Sequence, residues 1–194
     1  RKKLGLLNVD NAVSGAAPIS PEILRFFMSI GVPIYEGYGM TENSAIATGN
    51  TPDKVKLGTV GTPQAGTEIK LAEDGEILVR HPGVFLGYYK NEEATKEVLD
   101  SDGWLYTGDV GEYDGEFLKI IDRKKDIIIT SGGKNVSPSE IENNIKTSPF
   151  IKEAIVIGDD RKFLSALIGI EYDIVSNWAL RKNIAHTTYR NLSE

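Results

Sequence analysis

Cysteine is absent from the 194 residues, and that single absence removes disulfide scaffolds, thiolate zinc sites and cysteine nucleophiles from consideration. Long apolar runs are missing as well. The richest stretches, residues 127–129, 154–157 and 167–170, are strand-sized, far short of the roughly 20 residues that cross a bilayer, so a soluble protein is expected. There is no surplus of positive charge. Lys and Arg number 22 against 28 Asp and Glu, a formal net charge of −6, which argues against electrostatic capture of nucleic acid or an anionic membrane. The two histidines, His81 and His186, have no partners at ligand spacing; both are expected at the surface with no metal role. An initiator Met, a secretory leader, internal repeats and low-complexity tracts are lacking too, and the chain reads as a segment of something longer.

What is present is an ordinary globular composition, 40% apolar, in three successive textures. Residues 6–13 read as a strand running into the small-residue turn Ser14-Gly15-Ala16-Ala17-Pro18. Ser20 then caps a helix with Pro21 at its first position, whose face carries Ile23, Phe26, Phe27 and Ile30. After Gly31 a short buried strand completes a β-α-β rhythm, the end of a layered α/β domain assigned to residues 1–56. From 57 to 122 the Asp-Gly pairs at 74–75, 102–103 and 114–115 punctuate short apolar segments, predicting a small, bent, antiparallel β subdomain. It is interrupted by a helix over about 91–99, and Tyr88, Tyr89 and Trp104 are expected in its core. The charged run Asp122-Arg123-Lys124-Lys125-Asp126 marks a surface crossing. Beyond it, Ser137-Pro138-Ser139-Glu140 has the spacing of a capping box, two strands flank a turn at 159–162, and Asp173 is expected to cap a last helix. A small, incomplete α+β domain over 123–194 results.

Four segments together resemble the adenylate-forming superfamily of acyl-CoA synthetases, luciferases and peptide-synthetase adenylation domains. They are Tyr38-Gly39-Met40-Thr41-Glu42; Gly75-Glu76-Ile77 continuing to Gly87-Tyr88-Tyr89; Trp104 through Thr107-Gly108-Asp109; and the charged run leading through Gly132-Gly133-Lys134-Asn135 to Glu140-Ile141-Glu142. Taken singly, each also reads as a strand end, turn or cap; their order and spacing carry the likeness. Gly132 to Asn135 and residues 160–168 look most like long-chain fatty acyl-CoA synthetases.

The resemblance implies ATP-dependent activation of a fatty acid to an acyl-adenylate, followed by thioester formation with CoA. Tyr38, Gly39 and Met40 would border the adenine and phosphates, Thr41 would donate to a phosphate oxygen, and Glu42 would ligate Mg2+. Asp109 would accept from the ribose hydroxyls, with Arg123 as a second ribose or phosphate contact. Ser14, Gly15, Ala16 and Ala17 would line the adenine and acyl sites. Lys125 would be the hinge about which the C-terminal domain swings, and Gly132 and Gly133 would approach the pantetheine arm of CoA. The cofactor and substrate set is ATP/AMP, Mg2+, CoA and a fatty acid, in the cytoplasm, with attachment to the inner face of a membrane left open. The family's phosphate loop and its adenylating lysine have no counterpart here, so the chain alone is expected to be inactive. Rival readings are a ligase that hands its acyl group to a carrier protein and a non-catalytic nucleotide-binding module. Met40, where peptide-synthetase domains usually carry Pro, argues against that branch.

Overall fold

The computed structural model describes residues 1–193. The chain divides into two compact units, the first Arg1–Lys125 and the second from Asp126 onward.

In the first unit, residues 1–11 form a 3-10 turn, Lys2–Leu4, and further turns, so the strand expected over 6–13 does not begin until residue 12. The Arg1 guanidinium donates to the carbonyls of Leu6 and Val9 and holds this lead-in closed. Strand β1 is only Ala12–Ser14. Helix α1, Pro21–Ser29, starts where Ser20 accepts from the Glu22 amide and Pro occupies the first turn, since Pro fixes a helical φ where an amide donor is not needed. Its apolar stripe is only partly used: Leu24 is fully buried, whereas Ile23 and Phe26 are exposed. β2, Ile34–Tyr38, runs parallel to β1, and the short strands β3, Thr48–Gly49, and β4, Thr62–Pro63, extend the sheet antiparallel.

The second sheet of this unit is the antiparallel meander β5 Glu68–Leu71, β6 Glu76–Arg80, β7 Leu105–Asp114 and β8 Phe117–Arg123. Gly75 and Gly115 take positive φ in the β5–β6 and β7–β8 hairpins, the conformation that Asp-Gly supplies cheaply. Asp102-Gly103 instead leads from helix α2, Glu92–Val98, into β7, with the Asp100 carboxylate accepting from the Asp102 and Trp104 amides. Ala47, Ile77, Val79 and Leu118 form the core, and Tyr38, Val60, Ile69, Leu71 and Ile120 pack on it. Backbone bonds from Val60 to Leu118 and from Leu118 to Gly61 stitch the two sheets together. That seam requires glycine: a Cβ at Gly61 would lie 1.9 Å from the Gly49 carbonyl carbon.

The second unit is lighter. β9, Ile128–Ile129, and β10, Asn135–Val136, form a hairpin. Ser137 accepts from the Glu140 amide to start α3, Pro138–Ile145, and β11, Ile151–Ile157, pairs with β12, Ser165–Ile170. Helix α4, Tyr172–Arg181, has Glu171 at its N-cap position, two residues before the expected Asp173. Asp173 sits in the first turn, where its charge favours the helix dipole without capping. The short α5, Tyr189–Ser193, returns the Tyr189 hydroxyl to the Ile170 amide.

Burial expectations fail at the three aromatics and at His81. Tyr88 and Trp104 are only partly covered and Tyr89 is 88% exposed, so none of the three builds the core. Trp104 is packed by cations instead, with the Lys70 ammonium 4.0 Å and the Arg80 guanidinium 4.5 Å from its ring centroid. His81 is not a free surface group: its Nδ1 accepts from the Gly83 amide, and its Nε2 is buried without a partner.

Candidate functional site

The Thr107-Gly108-Asp109 segment lies where strand pairing breaks. Glu76 of β6 faces Val110 of β7, while Leu78 faces Tyr106, so β7 spends four residues where β6 spends two. A bulge of this kind lifts side chains out of the ladder and re-aims them. Gly108 makes the turn possible at φ 72°. Thr107 is locked inward, donating its hydroxyl to the Ile77 carbonyl and accepting from the Asp109 amide.

Asp109 thereby meets two other predicted residues. The Tyr38 hydroxyl donates to its Oδ2 at 2.6 Å. Arg123, its register partner across β7 and β8, places Nε 3.8 Å from its Oδ1. The Asp109 side chain is 18% exposed and that of Arg123 66%, so the ion pair itself stabilises little and leaves the guanidinium accessible. Burial first, and the Asp109 charge second, push the Tyr38 hydroxyl well above the ordinary tyrosine range, which keeps it a proton donor. With its ring packed against the core and its hydroxyl on Asp109, Tyr38 is a strut as much as a surface.

Glu42 belongs to the same stretch of chain but to a different contact. The 3-10 turn Thr41–Asn43 follows β2, and the Met40 amide is held by the Asn43 carbonyl oxygen Oδ1. Thr41 is exposed and Glu42 half-buried. The Tyr88 hydroxyl donates to Glu42 Oε1 at 2.8 Å, and the Glu42 carbonyl accepts from the Phe85 amide; that carboxylate raises the Tyr88 pKa. Gly39 is forced by crowding, since a Cβ there would lie 2.3 Å from the Ala45 carbonyl. Ser14 ends β1 beside β2, a Cβ on the following Gly15 would come within 3.2 Å of the Gly37 oxygen, and Ala16 takes a positive φ of 65°.

Lys125 is exposed at the end of the first unit. Gly132 and Gly133 belong to the second, at the tip of the β9–β10 hairpin. There the Gly133 amide donates to Thr130, Gly133 has φ 77°, and a Cβ at either glycine would meet nothing closer than 4.0 Å. The loop is open on its outer side.

Glu76 is a residue whose role sequence reasoning missed. It is 6% exposed, yet both oxygens are satisfied: Oε1 accepts from the Gly108 amide at 2.9 Å and Oε2 from the Lys124 ammonium at 2.8 Å. A lone charge at the head of the apolar run Ile77-Leu78-Val79 was the available signal. Asp122, inside the charged run read as surface, is likewise buried and caps the Arg123 amide.

Among the described residues no cluster of three His, Cys, Asp or Glu groups could hold a metal. Glu42 Oε2 is free of the Tyr88 bond, and Mg2+ commonly takes one or two carboxylates with phosphate oxygens and water.

The profile of the AMP-binding enzyme matches residues 2–89, and that of the AMP-binding enzyme C-terminal domain matches residues 125–186. A putative fatty-acid–CoA ligase, fadD11, of Mycobacterium tuberculosis is 45% identical over 186 residues, covering 95% of this chain and 33% of its own. The mouse long-chain-fatty-acid–CoA ligase 6 is 43% identical over 199 residues, covering 95% and 28%. The chain thus spans about a third of the length of the relatives it matches. Among solved structures, O-succinylbenzoate CoA synthetase of Bacillus subtilis with its acyl-adenylate intermediate superposes with a TM-score of 0.77 at 28% identity, over 97% of this chain and 43% of that one. The same enzyme with ATP and magnesium gives 0.75 at 33% identity, over 83% and 36%.

Proposed function

Because the chain belongs to the AMP-binding enzyme family, we propose that it is the nucleotide-holding and hinge portion of an ATP-dependent acid–thiol ligase for long-chain fatty acids. The observation that carries the reading is the Tyr38–Asp109–Arg123 constellation, raised on the β7 bulge. In this reading the fatty acid carboxylate attacks the α-phosphorus of ATP and pyrophosphate leaves. The CoA thiolate then attacks the acyl carbonyl and AMP leaves.

Each residue contributes something its geometry allows. Asp109 accepts from the two ribose hydroxyls; Tyr38 occupies one lone pair of Oδ2 and so fixes which way the carboxylate faces. Arg123, beside Oδ1 of the same carboxylate, offers its exposed guanidinium to ribose or phosphate. Thr41 donates to a phosphate oxygen from the turn after β2. Glu42, steadied by Tyr88, holds Mg2+, which when bound neutralises charge on the phosphates. Ser14, Gly15, Ala16 and Ala17 leave room beside the adenine and acyl group, and Gly39 and Met40 border the adenine and phosphates. Lys125 is the swivel between half-reactions, and the open Gly132-Gly133 tip lets the pantetheine arm pass.

The test uses the full-length protein with ATP, Mg2+, CoA and a series of acids from acetate to oleate. Formation of AMP and acyl-CoA, steepest with the longer acids, is expected. Asp109→Ala should lower kcat/KM for ATP by about a hundredfold, as loss of a charged ligand contact does. Binding of AMP without turnover of any acid would overturn the reading in favour of a non-catalytic module.

A further inference from the structure

The chain's division into units falls directly after Lys125, and the residue before it is fastened unusually well. The Lys124 ammonium lies 2.6 Å from Asp74 Oδ2 and 2.8 Å from Glu76 Oε2. Its amide donates to the Gly108 carbonyl at 2.8 Å. Gly108 in turn donates its own amide to the other Glu76 oxygen, and the Glu76 amide donates to Asp74 Oδ1. Lys124 is therefore tied by side chain and backbone to the bulge that carries Asp109. Lys125, one residue on, is exposed and has no ion-pair partner among the described residues.

We propose that Asp74, Glu76 and Lys124 form a clamp that fixes the near end of the swivel, making Lys124 a positioning residue for the thioester-forming half-reaction. The inference rests on the ligase reading for the swivel itself. The physical reason is mechanical. A rotation begun earlier than Lys125 would peel the end of β8 from β7, separating Arg123 from Asp109 and disturbing the nucleotide contacts during the swing. The clamp confines the rotation to residues beyond it. It differs from an ordinary surface ion pair in that the Glu76 side chain is only 8% exposed. Removing Lys124 leaves a buried carboxylate oxygen without its partner, a cost an exposed pair never incurs. The two carboxylates also raise the Lys124 pKa, Asp74 contributing most.

The experiment compares full-length wild type, Lys124→Met, Lys124→Arg and Glu76→Gln. Lys124→Met and Glu76→Gln should speed amide hydrogen exchange of residues 122–124 about tenfold. Lys124→Met should slow thioester formation about tenfold while pyrophosphate release stays within about threefold, and Lys124→Arg should recover most of the loss. Unchanged exchange in both variants overturns the clamp, and so does equal slowing of the two half-reactions. A wild-type protein that forms no thioester with any acid overturns the ligase reading instead, and the exchange result still decides whether the clamp exists.

Discussion

The two units solve the same problem with unequal means. The first closes its β sheets on one another around Ile77, Val79 and Leu118, all fully buried, and stitches them at a glycine seam. The second pairs just two main strands, and Ile155 and Leu167, facing partners in that ladder, remain 56% and 62% exposed. Helix α3 packs on one face of this ladder and buries Ala154 and Val156, while the other face keeps its apolar side chains exposed. The contrast teaches that the Asp109 carboxylate sits on a rigid frame, while the glycine-tipped hairpin sits on a light one.

The sharpest way to break the frame is Gly61→Ala. The new Cβ would occupy backbone space at a residue with φ 83°, so we expect a loss of more than about 4 kcal/mol, or no folded first unit, read by chemical denaturation with exchange protection assigned to each unit. Next, Ile77→Ala should cost about 2–5 kcal/mol through its cavity. Ile155→Ala, on the half-covered ladder, should cost under about 1 kcal/mol by the same measurement. Equal costs would erase the distinction between the units. The caps are of comparable size: Ser20→Ala and Ser137→Ala should each cost about 1 kcal/mol, with only the local helix losing exchange protection. The smallest effect at neutral pH is the linkage of Tyr38 and Lys124. Both pKa values are raised above their ordinary 10.0 and 10.5, so the folded chain binds those protons more tightly. The stability they contribute is complete below about pH 10 and declines as pH rises further. Tyr38→Phe should flatten part of that alkaline decline in denaturation profiles.

Much of the local structure was legible because local rules govern it. Ser20-Pro21, Asn91 and Ser137-Pro138 mark helix starts within a turn of where they occur, and two of the three Asp-Gly pairs make hairpins. Tertiary facts were legible only through family likeness or were missed. Tyr38 and Asp109 lie 71 residues apart, Glu76 and Lys124 48 apart, and no periodicity announces such pairs. The buried Asp122 was misjudged because a run of charges reads as solvated, although strand alternation hides one member while its neighbours stay wet. The core status given to Tyr88 and Trp104 failed for a related reason: both rings carry or attract polar partners, Glu42 for one and two cations for the other, and aromatic amphipathicity permits exposure.

That cation-packed indole has an optical consequence. The chain has two tryptophans, Trp104 in the first unit and Trp178 in the second, where it lies edge-on to Phe150. Each unit therefore carries its own intrinsic fluorophore, and replacing either ring by Phe leaves a label-free emission signal that belongs to the other half alone.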